Sequence, residues 1–220
     1  MGTAVVKKTH LLFQGVKYWT TNASTVMLGS YGRLRSGIFV RDRLEVHDQV
    51  SLKDLSVREA TVVQIDWERS HEATLNAQLN VPSVPLEGSL ESKLEAFNSG
   101  KVKLVKLDVA LNPLARALNG QVEHRRAFRR IKRTPRVVCQ IFSILSHQEA
   151  SKLTATNDVY LDLPTGSGVE IGLGVGIDGS SQSSVSLSKD TTFAYMLAAP
   201  EWSKNEKRVA GFDYDQWSIA

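Results

Sequence analysis

The histidines, serines and glycines of this sequence do not occur at the spacings of the common catalytic and phosphate-binding motifs. No histidine is paired with a second histidine and a glutamate at the helical spacing of a zinc protease. Gly166-Ser167-Gly168 lacks the G-x-S-x-G arrangement of a nucleophile elbow. We therefore expect a protein that is not an enzyme and that uses neither a metal ion nor a cofactor. The histidines are His10, His47, His71, His124 and His147.

Three glycines follow one another at intervals of two residues: Gly172, Gly174 and Gly176. A phosphate-binding G-x-G-x-x-G loop has a different spacing and leads from a strand into a helix. A period of two instead puts these glycines on one face of a strand. Either another backbone or side chain approaches this face closely, or the strand changes its surroundings and bulky side chains would obstruct it.

Basic residues are concentrated in one segment of a chain whose formal net charge is +4. Seven lie between Arg125 and Arg136, with no acidic residue among them. We expect a helix over Val122–Arg133, with Phe128 and Ile131 on its apolar side. An anionic membrane attracts such a segment by about 1 kcal/mol per basic residue. A nucleic-acid partner or a solvated helix face are the alternatives, but Phe128 is the only interleaved aromatic residue that could stack on bases.

Length and composition indicate one domain. The chain has 220 residues, of which 42% are hydrophobic and 23% are charged, enough apolar material for a core. Cys139 is the only cysteine, so no intrachain disulfide exists, and we expect a buried, inert thiol in a reducing compartment. No run of about 18 apolar residues predicts a transmembrane helix.

Three segments alternate polar and apolar residues: Ala73–Val81, Leu153–Leu163 and Val169–Ile177. This period predicts strands of a half-exposed antiparallel sheet. Each is also about as long as the 9–11 residues with which a strand crosses a bilayer. The last two are joined by a predicted turn at Pro164–Gly168.

Other segments complete the predicted fold. Val26–Val46 reads as two strands around a turn at Ser30-Tyr31-Gly32, and Asn112-Pro113 as the start of a helix. Lys101–Val109 and Val137–Leu145 are predicted strands, whereas Leu90–Phe97 could be helix or strand. We expect an α+β domain over residues 1–220: a twisted, mainly antiparallel sheet with a few short helices. The segment 200–220, rich in aromatic residues, is a candidate regulatory tail.

The order of these features resembles the gasdermin pore-forming domain, in particular the short bacterial gasdermins and the fungal gasdermin-like cell-death regulators. The resemblance covers residues 10–198. It rests on the order of the three alternating segments and of five short segments: Leu28-Gly29-Ser30-Tyr31-Gly32, Leu52-Lys53-Asp54-Leu55 as the start of a short helix, Leu104-Val105-Lys106-Leu107, Arg136-Val137-Val138-Cys139 and Thr191-Thr192-Phe193-Ala194-Tyr195.

The resemblance implies a protein that oligomerises on anionic membranes into a large β-barrel pore and causes lytic cell death, in defence or allorecognition. Val62–Phe97 and Leu153–Leu187 would extend into membrane β-hairpins. The ring could include a related second chain, and a protease or partner protein could activate it. The inactive form would be cytoplasmic and the active form in the plasma or inner membrane. A non-enzymatic module that binds nucleic acid through the basic segment is the alternative.

The implied site residues form two groups. The lipid-binding group consists of Lys7, Lys8, Arg125, Arg126, Arg129, Arg130, Lys132 and Arg133. The membrane-inserting group consists of Leu75, Ala77, Leu79, Val81, Val159, Leu161, Leu163, Val169, Ile171, Leu173, Val175 and Ile177.

Overall fold

The structure is a computed structural model that describes residues 2–37, 40–52, 55, 57–80, 86, 88–132, 134–155, 159–165, 168–175, 181–205 and 207–215. The fold is α+β, with a twisted, mainly antiparallel sheet, as expected. The strands are Gly2–Val6 (β1), His10–Phe13 (β2), Val16–Trp19 (β3), Ser30–Gly37 (β4), Val40–Gln49 (β5), Val57–Ile65 (β6), Val102–Val109 (β7), Pro135–Ser146 (β8), Val159–Thr165 (β9), Gly168–Val175 (β10), Ser181–Ser188 (β11), Thr192–Trp202 (β12) and Val209–Tyr214 (β13). The helices are Glu72–Leu79 (α1), Leu90–Asn98 (α2), Leu111–Gly120 (α3), Val122–Arg130 (α4) and His147–Ala155 (α5).

Ten strands form the main sheet, in the order β13-β12-β3-β2-β1-β6-β7-β8-β4-β5. Strand β12 also pairs with β8, so the seven strands from β12 through β3 to β8 close into a ring. The pairing of β1 with β6 is parallel, and the other pairings of the ring are antiparallel. Strand β8 is the predicted central strand, and every residue from Val137 to Leu145 is buried because its neighbours cover both faces.

Two hairpins of the main sheet show how its turns are encoded. Between β2 and β3, Gln14 and Gly15 both have positive φ, at 51° and 79°, the backbone that a two-residue hairpin turn requires. The expected turn at Ser30-Tyr31-Gly32 is wrong, because these residues lie inside β4. Gly32 marks a bulge there: a Cβ atom at this position would lie 1.9 Å from the carbonyl oxygen of Glu45. The glycine therefore serves close strand approach.

The predicted strand Ala73–Val81 is wrong: residues 72–79 form α1. Its apolar residues alternate, but Leu75 and Leu79 are also four residues apart, and both are buried on one helical face. His71 accepts a hydrogen bond from the amide of Thr74 and caps the helix. Leu90–Phe97, left undecided, lies in helix α2.

The predicted strand Leu153–Leu163 is wrong in its first part. Residues 147–155 form α5, in which Ala150 and Leu153 are buried, and β9 begins only at Val159. Ser146 opens this helix, because its hydroxyl and amide both donate to the carboxylate of Glu149 three residues later. The local cap decides in favour of a helix where periodicity indicated a strand.

Strands β9, β10 and β11 form a separate three-stranded antiparallel sheet, here called the second sheet. Within the described residues it shares no strand pairing with the main sheet. The prediction of a strand over Val169–Ile177 is confirmed for Gly168–Val175. Strand β11 begins at Ser181.

Helices α3 and α4, both predicted, pack where β4–β5 and β13 diverge from the ring. The first helix begins at Leu111, so Asn112 and Pro113 lie in its first turn and Asn112 is not the cap. In α4, Phe128 is fully buried; its ring lies 5.5 Å from Tyr31, 5.9 Å from Trp202 and 6.2 Å from Phe212.

The segment 200–214 contains the end of β12, a connection and β13; Trp202 and Phe212 pack against the core, whereas Tyr214 is exposed. Trp217 lies outside the described residues. The side-chain amide of Asn119 donates to the carbonyl of Val209 at 2.7 Å and accepts from its amide at 3.1 Å. The carboxylate of Asp215 forms an ion pair with Arg136 at 2.7 Å. A regulatory role of this segment stays a prediction.

Substitution of Phe128 tests the aromatic cluster. We expect Phe128→Ala to lower the free energy of unfolding by about 3–5 kcal/mol, because it removes a fully buried ring and leaves a cavity. Arg130→Ala, at an exposed position of the same helix, should change it by less than about 0.5 kcal/mol. Urea unfolding followed by circular dichroism measures both. Equal effects would contradict this packing.

Candidate anion-binding surface

Helix α4 presents its basic side chains outward because both of its ends are fixed to the domain. At the start, the side-chain oxygen of Gln121 accepts from the backbone N–H of Ser51 at 3.0 Å, and its side-chain nitrogen donates to the carbonyl of Ser51 at 2.8 Å. Near the end, Phe128 and Ile131 are buried. Three arginines therefore project into solvent, and Lys132 follows them: Arg126, Arg129, Arg130 and Lys132 are all exposed.

These four cations have no compensating partner in the described part of the chain, since none of them forms an ion pair or a side-chain hydrogen bond there. The expected lipid-binding group is thereby divided. Arg125 is half-buried, and its guanidinium donates to the carbonyl of Asn119 at 3.0 Å, so it satisfies the end of α3. Arg133 lies outside the described residues.

Strands β4 and β5 add arginines that the sequence analysis missed. Tyr31 contacts Phe128 of α4, so Arg33 and Arg35, two and four residues further along β4, lie on the same face of the strand. Arg43 of β5 is paired with Arg35 and is exposed. We call Arg126, Arg129, Arg130, Lys132, Arg33, Arg35 and Arg43 the arginine face. Alternation of Arg33, Leu34 and Arg35 was the signal that could have revealed it.

Glu45 partly neutralises this face. Its carboxylate accepts from Arg35 at 2.7 and 3.0 Å and from Arg33 at 2.9 Å. These bonds lower the pKa of Glu45 to about 2, and those from Arg35 have the largest effect. The carboxylate therefore stays ionised unless the pH falls to about that value, and mild acid does not release the two arginines.

A three-residue cluster joins α4 to the β4–β5 hairpin. The hydroxyl of buried Tyr31 lies 3.4 Å from a carboxylate oxygen of Asp48 and 3.2 Å from Nδ1 of His124. Nδ1 of His124 is 3.3 Å from the same carboxylate. Burial, followed by the charge of Asp48, raises the pKa of Tyr31, so its hydroxyl stays protonated. The cluster holds helix and hairpin together as one surface.

The opposite side of β12 and β13 is acidic. Phe212 faces α4, so Asp213, the next residue of the strand, faces away. Asp213 is hydrogen-bonded to Glu201, and this contact raises the pKa of Glu201. Two acidic residues, Glu201 and Asp213, therefore lie together on the face of these strands that points away from α4.

Lys7 and Lys8 do not join the arginine face. They follow β1 at the end of the sheet where β8 finishes, whereas α4 packs beside Val137 near the start of β8. The nine-residue interval from Val137 to Ser146 corresponds to about 30 Å. Lys17 and Lys7 both lie near His10. Burial, followed by the charges of these two lysines, lowers the pKa of His10.

The candidate membrane-inserting residues are also divided. Ile171 and Leu173 of β10 are buried, and the structure adds Val185 and Leu187 of β11 beside them. Val159 is buried at the start of β9. Leu75 and Leu79 belong to the core face of helix α1, and Ala77 is exposed there. Leu161, Leu163, Val169 and Val175 lie in strands β9 and β10, while Val81 and Ile177 lie outside the described residues.

Within the described ranges, no group of three or more histidine, cysteine, aspartate or glutamate residues could hold a metal ion. No helix built from these ranges has the length and apolar character needed to cross a membrane. Comparison with protein-family models, with curated proteins and with solved structures finds no match.

Removal of the Glu45 carboxylate tests the arginine face. We expect Glu45→Gln to increase the affinity for anionic vesicles about fivefold, since one unit of negative charge is lost beside Arg33 and Arg35. Glu68→Gln removes the same charge from an exposed position at the other end of the sheet and should leave affinity unchanged. Vesicle co-sedimentation measures both. A similar change in the two variants would indicate net charge alone.

Proposed function

We propose that this protein is a pore-forming protein of gasdermin type that binds anionic membranes through the arginine face and inserts β-hairpins into them. The proposal joins two features of the chain, a surface rich in unpaired cations and a small amphipathic sheet outside the main one. The sequence resemblance described above points in the same direction.

The register of β10 and β11 is the observation that supports the proposal most strongly. Ile171 is paired with Val185 and Gly172 with Ser184, so apolar residues of both strands share one face. Ile171, Leu173, Val185 and Leu187 are buried, while Ser184 and Ser186 are exposed. Glu170 and Gly172 alternate with the apolar residues of β10 and are paired with Ser186 and Ser184. A hairpin with one apolar and one polar face matches a membrane strand pair, whose residues alternate between lipid and lumen.

The attachment of the second sheet suits a change of environment. It shares no strand pairing with the main sheet in the described residues, and Ile171, Leu173, Val185 and Leu187 connect it to the domain through the common apolar core. Burial of each large aliphatic side chain contributes about 1.5–3 kcal/mol. Transfer of these side chains to lipid keeps that gain, because hydrocarbon excludes water as the protein core does.

The first proposed hairpin region needs a larger rearrangement. Val62–Phe97 contains the end of β6 together with α1 and α2, so its extension requires both helices to unwind. Leu75 and Leu79 would leave the core in that step. Under this proposal, the second sheet, which is already paired, inserts with the smaller conformational cost.

The nucleic-acid alternative uses the same arginine face, and the structure makes it less favourable. Binding of single strands combines cations with aromatic side chains that stack on bases. Phe128, the only aromatic residue of the basic segment, is fully buried on the inner side of α4. The cations without stacking groups suit a phosphate-bearing lipid surface better.

Charge reversal on α4 tests membrane binding. Arg129→Glu with Arg130→Glu should weaken vesicle binding at least about 30-fold, given about 1 kcal/mol per basic residue, and should slow dye leakage from anionic vesicles in proportion. Arg69→Glu with Lys101→Glu changes the net charge equally at exposed positions of the other end and should preserve both. Leakage from activated protein that is insensitive to the first pair would exclude this surface.

Charges on the exposed serines test the hairpin. We expect Ser184→Asp with Ser186→Asp to leave the resting fold intact, because both serines are exposed, and to shift the reversal potential of pores in planar bilayers toward cation selectivity. Ser24→Asp with Asn112→Asp, at exposed positions outside both proposed hairpin regions, should not shift it. Conducting pores with unchanged selectivity would contradict a lumen position for β11.

A further inference from the structure

An open groove lies on the outer side of β6 and β7, remote from the arginine face. Its volume is about 410 Å³, within the range of small-molecule sites. The strands supply Thr3, Val62, Gln64 and Lys103, and the wall consists of Trp67 and the Phe97-Asn98 end of α2. We call it the Trp67 groove. Most of its lining belongs to Val62–Phe97, the first proposed hairpin region, so the groove is a feature of the resting domain.

The turn that carries Trp67 is tied to β1 by backbone and side-chain hydrogen bonds. The amides of Asp66 and His71 donate to Ala4 and Val6 of β1 at 2.8 and 2.7 Å. The hydroxyl of Ser70 donates to the carbonyl of Asp66 at 2.6 Å and accepts from the amide of Val6 at 2.9 Å. Trp67 is therefore a pre-positioned, half-exposed indole.

The opposite wall is fixed as well. The ring of Phe97 stands edge-on to Trp67 at 5.4 Å, and the indole N–H donates to the side-chain oxygen of Asn98 at 3.3 Å. Gly100, with a φ of 77°, ends α2 and donates to the carbonyl of Phe97. Two rigid turns thus hold an aromatic corner open to solvent, the pre-organisation that favours ligand binding.

Polar groups converge on this corner without an excess of charge. Gln64 is exposed, and its side-chain amide has no hydrogen-bond partner within the described residues. Lys103 supplies a cation next to the C-terminal end of α2, and Asp66 supplies a carboxylate that lies 3.8 Å from Arg69. The groove offers amide and hydroxyl groups with balanced charge, which suits a neutral polyhydroxylated ligand better than an anion.

Strand addition does not explain the groove. At its floor, Val63 pairs with Leu104 on one side and with Gly2 on the other, so no free strand edge is available to an extended peptide. A pyranose ring has an apolar C–H face for Trp67 and hydroxyls for Gln64, Asn98 and Thr3. We infer that the Trp67 groove binds a neutral sugar, either free or at the end of a glycan.

Saturation-transfer NMR with the methyl glycosides of glucose, galactose, mannose and N-acetylglucosamine tests this site, and phosphorus-31 line broadening follows inorganic phosphate as the anionic probe. At least one glycoside should show transfer at up to about 10 mM, as a Kd near 1 mM requires. Gln64→Ala should weaken binding about fivefold, Trp67→Ala should abolish it, and Glu68→Ala should leave it unchanged.

Three outcomes would overturn the inference: no transfer to any of the four glycosides, binding of phosphate alone, or sugar binding that persists in Trp67→Ala. Gln64→Ala changes an exposed residue, so it decides the matter if Trp67→Ala fails to fold, as judged by circular dichroism. The result is independent of vesicle leakage, so failure of one proposal leaves the other standing.

Discussion

The pairing of β12 with β8 is the constraint on which the rest of the structure depends. These strands are adjacent in space although the 45 residues 147–191 separate them in sequence. Their pairing closes the ring. The start of β8 also pairs with β4 and the end of β12 with β13, and α4 packs on these two outer strands. A buried hydrogen bond of 2.8 Å between the hydroxyls of Ser143 and Thr191 fixes the point where the intervening segment returns to β12.

This arrangement makes α5 and the second sheet an insertion between two strands that are already paired. Such a segment can change conformation without breaking the main sheet, because both its ends are held by β8 and β12. Its length is also sufficient: two strands of about 20 residues reach about 65 Å at 3.3 Å per residue. A strand that starts at Ser146 must first run about 30 Å along the domain to the level of Val137, where α4 packs, and then cross a hydrocarbon core of about 30 Å. The available length exceeds this sum. Under the proposed function, α5 must contribute its residues to reach this length.

The sequence predicted those elements that local chemistry and burial indicate together. Val137–Leu145 is apolar throughout because neighbours cover both faces of β8, and the basic helix ends before Pro135 as its sequence requires. Alternation failed for Ala73–Val81, because Leu75 and Leu79, four residues apart, satisfy a helix as well as a strand. It failed for Leu153–Ala155 because Leu153 shares a buried helical face with Ala150. His71 and Glu149 decide those cases through hydrogen bonds that periodicity does not consider.

The candidate site was predictable only where its residues are contiguous. Arg126, Arg129 and Arg130 are neighbours in sequence, so one helix suffices to place them together. Arg33, Arg35 and Arg43 reach the same surface because Tyr31 packs against Phe128, a contact between residues almost a hundred positions apart. The same long-range packing separates Lys7 and Lys8 from this surface, and their charge alone gave no sign of the distance.

Gly172 connects the two interpretations of the strand glycines. It is buried in β10 between its partners Tyr160 and Ser184, although Ser184 itself is exposed. Glycine weakens a strand by about 0.5–1 kcal/mol relative to alanine, and that cost is equal wherever the strand lies. The preference between two environments must therefore come from what covers each face. Under the proposed function, glycine tolerates close packing by its neighbours in the resting domain and contact with water in the pore lumen. One residue type therefore satisfies both close approach and a change of surroundings.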